Sequence, residues 1–206
     1  MVSTIPVNAE RFARAIARFD AANAEDPRRE RTEAGDEAKE LVYARRMTDW
    51  LARLEPEASE ALRLAARAQH LCRWRIPRAG YPDGRQGYLR WRRDCADLHA
   101  SLAGDILRDQ GYDAPTIERV GALLRKRGLP TDPEALALED TACLVFLEHE
   151  LATFAPKHDP AKLVRILERT WRKMSPRGQR VALGLDLPPP ARTLLEKALS
   201  TGGSLD

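Results

Sequence analysis

Lysine is scarce in this chain: of 34 basic residues, 28 are arginine and 6 are lysine. Cysteine is scarcer still, with three residues, Cys72, Cys95 and Cys143. An odd number of thiols set among apolar helical positions excludes a disulfide framework and suits small buried side chains in a reducing compartment. No apolar run approaches the ~20 residues a membrane-spanning helix needs. The N-terminal stretch lacks the apolar core of a secretory leader. A cytoplasmic protein without membrane contact is therefore expected. Strand-like alternation of polar and apolar residues is also missing. The net charge of +3 is too small to argue for nucleic-acid binding by itself.

What remains is helical periodicity along almost the whole chain. Phe12, Ile16 and Phe19 share a stripe, as do Leu41, Ala44, Met47, Leu51 and Leu54. An alanine-rich stretch then carries Leu62, Ala65, Ala66 and Leu71. A long helix over about 87–110 has the seam Trp91, Cys95, Leu98, Leu102 and Ile106. Asp113, Asp132-Pro133, Asp159-Pro160 and Ser175-Pro176 are start signals for later helices, a cap with or without proline at the first helical position. The pattern predicts an all-α protein: one domain over 1–206, a bundle of about seven to nine helices. A mobile polar linker is expected at 25–35 and a frayed tail at 201–206.

Basic charge is unevenly spread, with excesses in 73–93, 118–128 and 165–180. The first of these, RWRIPRAGYPDGRQGYLRWRR, holds seven arginines and four aromatics and no lysine. Guanidinium forks grip phosphate or carboxylate bidentately and stack on aromatic faces. Arg73, Arg75, Arg78 and Arg90 are therefore candidate anion ligands, with Tyr81, Tyr88 and Trp91 as walls or stacking partners. The plain alternative is a solvated basic loop in an arginine-rich chain.

Polar residues also sit where helix faces should be apolar. His70 continues the Leu62, Ala66 face, and His99 lies at the edge of the long seam. Glu139 and Asp140 interrupt the stripe of Leu136, Cys143, Phe146 and Leu147. Glu40 lies one turn before Ala44, with Arg45 close by. A buried carboxylate is costly unless paired, hydrogen-bonded or metal-bound. Imidazoles and carboxylates from separate helices are what a metal site in a helical core requires. The competing explanation is a core histidine and ordinary ion pairs. His158-Asp159 reads most simply as a helix cap, and His149 as structural or exposed.

The stretches FDAANAEDP (19–27), ELVYARRMTDWL (40–51), LRLAARAQHLCRWRIPR (62–78), GYLRWR (87–92), LEDTACLVFLEH (138–149) and KMSPRG (173–178) resemble an uncharacterised domain family of bacteria, fungi and plants. Some of its members carry a glutamyl-tRNA synthetase label. That label finds no support in this chain, which has no nucleotide-binding strand–loop–helix. A more distant similarity is to the HD-domain metal phosphohydrolases. It implies an HD-like helical fold in which His70 matches the histidine of the paired motif and Asp140 the distal aspartate. His99 falls near the accessory residues. Leu71 stands where that family has the paired aspartate, and its first histidine position falls near Tyr43 or Ala44.

Together these readings point to an HD-like protein that binds a phosphorylated or otherwise anionic small molecule, with a nucleotide as one candidate. If it is an enzyme, the resemblance implies metal-dependent phosphohydrolysis: a divalent ion on His70, His99 and Asp140, with Glu40 or Glu139 as general base. Arg45 would join the ligand-binding arginines. Two alternatives stand beside this: an RNA-binding module that uses the interleaved arginine and aromatic residues, and a non-catalytic interaction protein.

Overall fold

A computed structural model describes residues 7–201. The chain gathers into two compact units, 1–135 and 136–206, where length and periodicity suggest one domain. Ten helices and one hairpin make up the described residues, and the fold is predominantly all-α as expected. The expected tail falls largely outside them, since 202–206 are not described.

The first unit begins with α1 (Val7–Ala24), followed by β1 (Arg29–Thr32), β2 (Gly35–Ala38) and α2 (Lys39–Leu54). The two strands pair antiparallel where the sequence suggests only a polar linker. RERT and GDEA contain no apolar alternation, so the pairing rests on polar contacts. Thr32 Oγ1 donates to the carbonyl of Gly35 at 3.0 Å across the turn. Arg45 and Arg46 of α2 pair with Glu37 and Glu30 of the hairpin. Asp26, fully buried, is the anchor. It accepts hydrogen bonds from the Arg28 amide (2.9 Å), from the Arg28 guanidinium, and from the Glu40 amide (3.2 Å). No side chain of Ala38 caps α2, so Asp26 acts as its remote N-cap.

Next come α3 (Glu60–Arg67), α4 (Gly84–Asp109) and α5 (Ala114–Leu124). Ala65, Ala66 and Ala68 are completely buried, which lets α3 approach its neighbours closely. The buried Arg67 binds Asp20 through Nε (2.7 Å) and Nη2 (2.6 Å), and Thr48 through Nη1 (3.1 Å), joining α1, α2 and α3. Two expectations need correction. The α3 helix stops at Arg67, short of the Leu71 that the alanine-rich stretch includes, and the buried Asn23 of α1 takes the Cys72 amide at 3.0 Å. Cys72 there adopts a left-handed φ of 55°. The buried face of α4 is Cys95, His99, Ala103 and Leu107, one step round from the expected Leu98, Leu102 and Ile106. Its small residues allow close packing on α5, where a Cβ on Gly104 would meet Ile117 at 3.5 Å.

The second unit comprises most of α6 (Pro133–Val145), α7 (Leu151–Phe154), α8 (Pro160–Lys173), α9 (Pro176–Leu183) and α10 (Pro189–Thr201). A wider π-type turn at Phe146–Glu150 separates α6 from α7, which raises the helix number above the sequence expectation. The buried leucines Leu144, Leu147, Leu151 and Leu167 form its core, each worth roughly 1.5–3 kcal/mol when removed from water.

The cap signals hold. Asp113 accepts from Thr116 N, Asp132 from Glu134 N, Asp159 from Lys162 N and Ser175 from Gly178 N. Asp140 is bound into the last of these, accepting from the Ser175 amide at 2.8 Å and from its hydroxyl. Gly178 lies against the same carboxylate, and a Cβ there would stand 2.5 Å from the Asp140 carboxyl carbon. Gly178→Ala should therefore destabilise the protein by about 1–3 kcal/mol through overpacking, read as a lower urea midpoint. An unchanged midpoint would show that the Asp140 contact is not constrained.

Candidate functional site: a basic cleft on the first unit

The turn after α3, the middle of α4 and the turn after α5 enclose a cleft of about 420 Å³. Six cationic side chains line it: Arg73, Arg92, Arg93, Arg125, Lys126 and Arg127. Asp97 is the one carboxylate on the wall, and Arg125 Nε already donates to it at 2.7 Å. The helix α5 ends at Leu124, and Lys126 turns the chain with a left-handed φ of 57°. That turn carries Arg125, Lys126 and Arg127 to the cleft. The extended stretch 118–128 is visibly basic, but a continuous helix to 127 would distribute these side chains around its circumference.

A chain of hydrogen bonds and charge contacts runs from the hairpin to the cleft wall. Arg28 Nη2 joins Asp26 to Glu40, at 2.9 and 2.6 Å. Burial disfavours the Arg28 charge, but the two carboxylates outweigh it and raise its pKa. His70 Nδ1 lies 3.3 Å from the other Glu40 oxygen, and Arg73 Nη1 lies 2.9 Å from His70 Nε2. Because the guanidinium can only donate, Nε2 accepts and the ring proton belongs on Nδ1, facing Glu40. The His70 ring stacks on Tyr43 with centroids 3.9 Å apart. The Arg73 guanidinium carbon in turn lies 4.5 Å from the Trp91 ring centre.

Both cleft imidazoles are neutral at pH 7. Burial pushes the His70 pKa well below its usual value, and the charges of Arg73, Arg92, Lys126 and Arg28 reinforce the shift. Burial likewise lowers His99, helped by His70, Arg73 and Arg92 and opposed by Glu40. The two rings are 5.8 Å apart.

Of the sequence candidates, Glu40, His70, His99, Arg73 and Trp91 come together here. Others point elsewhere. Arg45 binds Glu37 of the hairpin, Arg75 reaches Glu25 at 3.3 Å, and Arg78 donates to the carbonyls of Tyr81 and Pro82. Tyr81 donates to Asp94, and Arg90 approaches the same carboxylate at 4.0 Å. Trp91 Nε1 donates to the Ile76 carbonyl. Tyr88 lies 5.8 Å from Trp91 and is 42% exposed. Glu139 and Asp140 belong to the second unit, where Glu139 faces Lys173 at 3.7 Å. Sequence reasoning missed Arg92, Arg93 and the three cations that follow α5.

The donor set does not suit a metal ion. Both ring nitrogens of His70 are engaged, and a guanidinium stands at Nε2 where a cation would bind. Glu40 carries a second guanidinium. Among the described residues no group of three or more His, Cys, Asp or Glu is arranged to hold a metal.

Groups kept neutral in the fold but protonated when unfolded make stability rise with pH, because the unfolded chain then binds more protons. His70 and His99 have folded pKa values below 6.5, so their cost is absent above that value. It grows as pH falls below about 6.5 toward the folded values. Urea unfolding should accordingly show stability falling from about pH 7 to pH 5, and His99→Gln should flatten that slope. An unaltered slope would mean that His99 titrates normally.

Neither curated proteins nor solved structures include a match to this chain. A family model does match, over residues 13–195, nearly the whole chain. That model describes a domain of unknown function, DUF4202, and the protein belongs to this family.

Proposed function

We propose that the first unit binds a phosphorylated small molecule in the basic cleft. The observation that carries this reading is the imbalance of its wall: six cations and one carboxylate, itself already paired, around about 420 Å³. Like charges so close repel one another, and a bound dianion relieves that repulsion. Arg73 is the best placed ligand. His70 and Trp91 hold its guanidinium in position, so little side-chain freedom is lost when it grips an oxyanion. A guanidinium at His70 Nε2 and another on Glu40 oppose a metal ion, whereas the six cations of the wall favour an anion, so the cleft supports anion binding better than metal-assisted hydrolysis. We assign no catalytic step to Glu40, whose oxygens are committed to Arg28 and His70. The three buried thiols, none of them in a disulfide, fit a reducing cytoplasm.

Single-strand RNA recognition needs aromatic faces open beside the cations. The Trp91 face is instead occupied by the Arg73 guanidinium, and of Tyr81, Tyr88 and Trp91 only Tyr88 is exposed.

Calorimetric titration with inorganic phosphate at low salt is the direct test. Arg73→Gln, which can still donate to His70, should weaken binding about tenfold, or ~1.4 kcal/mol. The exposed Arg108→Gln should have no effect. Phosphate affinity indifferent to Arg73 and Arg92 would reject the site. So would poly-uridylate binding with a steep salt dependence that survives both substitutions.

A further inference from the structure

Two side chains on the cleft wall each carry an atom with no partner within the protein. Gln69 Oε1 and His99 Nε2 are buried without hydrogen-bond partners, in side chains that line the cleft. The two residues are only 7% and 3% exposed. Buried polar atoms are paired in the great majority of cases, so each exception asks for a reason. The other orphaned atoms among the described residues, on Arg11, Asn23 and Tyr112, do not line this cleft.

The chemistry of the pair narrows what would satisfy it. Gln69 Oε1 can only accept, and the dianion of a phosphate monoester offers acceptors alone. The phosphate that answers the arginines therefore leaves Gln69 unsatisfied, and the ligand must carry a second group. A carboxylate or second phosphate has no proton to donate. An ammonium donates, but it adds a positive charge beside six cations. A hydroxyl donates to Gln69, and it can donate to or accept from His99 in either neutral tautomer. The cleft's volume falls within the range of small-molecule sites, so there is room for an organic group as well as a phosphate.

Resting on the anion-binding reading, we infer that the ligand is a hydroxyl-bearing phosphate monoester whose hydroxyl is read by Gln69 and His99. Sugar phosphates and nucleoside monophosphates share this chemistry. The arginines supply affinity for the phosphate, and the two neutral side chains supply selectivity. A site that hydrogen-bonds a hydroxyl rejects the analogue without it, because its own buried groups are then left unpaired.

The test compares ribose 5-phosphate, methyl phosphate and inorganic phosphate by calorimetry on wild type and Gln69→Met. Wild type should hold ribose 5-phosphate at least about tenfold tighter than methyl phosphate. In Gln69→Met that ratio should shrink to roughly threefold or less. Because the substitution removes an orphaned acceptor, the ligand-free variant should melt at or above the wild-type temperature. A glutamine with only a structural role would lower the melting temperature and leave the ratio intact. Should Gln69→Met not fold, the same ratio is read in His99→Leu. Equal affinities for the two esters in wild type, or an unchanged ratio in the variant, would overturn the hydroxyl reading. Failure of all three probes to bind would instead remove the anion-binding reading on which it rests.

Discussion

The first unit depends on the chain of hydrogen bonds and charges that runs from Asp26 through Arg28, Glu40 and His70 to Arg73. A lone buried carboxylate would be strongly unfavourable, and two of them could not persist side by side without compensation. Arg28 answers both, and His70 takes the remaining Glu40 oxygen. The same contacts start α2, close the hairpin onto it, and orient an imidazole toward the cleft. Loss of any member leaves a charged or polar neighbour unpaired, which costs more than the contact itself contributes. Structure and cleft are thus coupled, because the last member of the chain is a cation on the cleft wall.

The cleft concentrates cations where a stable protein would disperse them. Burial, reinforced by neighbouring charges, disfavours protonation of His70 and His99, and two buried polar atoms remain unpaired. The crowded cations and the unpaired polar atoms each lower the stability of the empty fold. Local departures from good packing and pairing of this kind are expected at functional sites rather than in a core.

The second unit shows how a carboxylate on an apolar stripe finds hydrogen-bond donors within the protein. Asp140 binds the amide and hydroxyl of Ser175, whose own hydroxyl caps α9. Gly178 leaves room for it. From spacing alone, this aspartate is indistinguishable from a metal ligand, since both roles require a carboxylate facing inward from a helix.

Helix class and most helix starts were legible in the sequence because their causes are local. A cap at Asp113, Asp132, Asp159 or Ser175 acts on an amide two or three residues away. That His70 and His99 break apolar faces and that 73–93 is rich in arginine was legible too, but of those arginines only Arg73, Arg92 and Arg93 line the cleft. The hairpin was not legible, since its strands carry no apolar alternation and are held by Asp26 and by arginines of α2. Nor was the α4 face, whose choice of small residues over leucines answers to the close approach of α5. The membership of the cleft was decided by tertiary structure alone. Asn23 takes the Cys72 amide in the turn after α3, and the left-handed Lys126 ends α5. These two distant turns bring together cations that lie some fifty positions apart in the chain. Composition determined that charge would be plentiful; only the fold could determine which charges meet, because convergence depends on long-range contacts that local spacing does not encode.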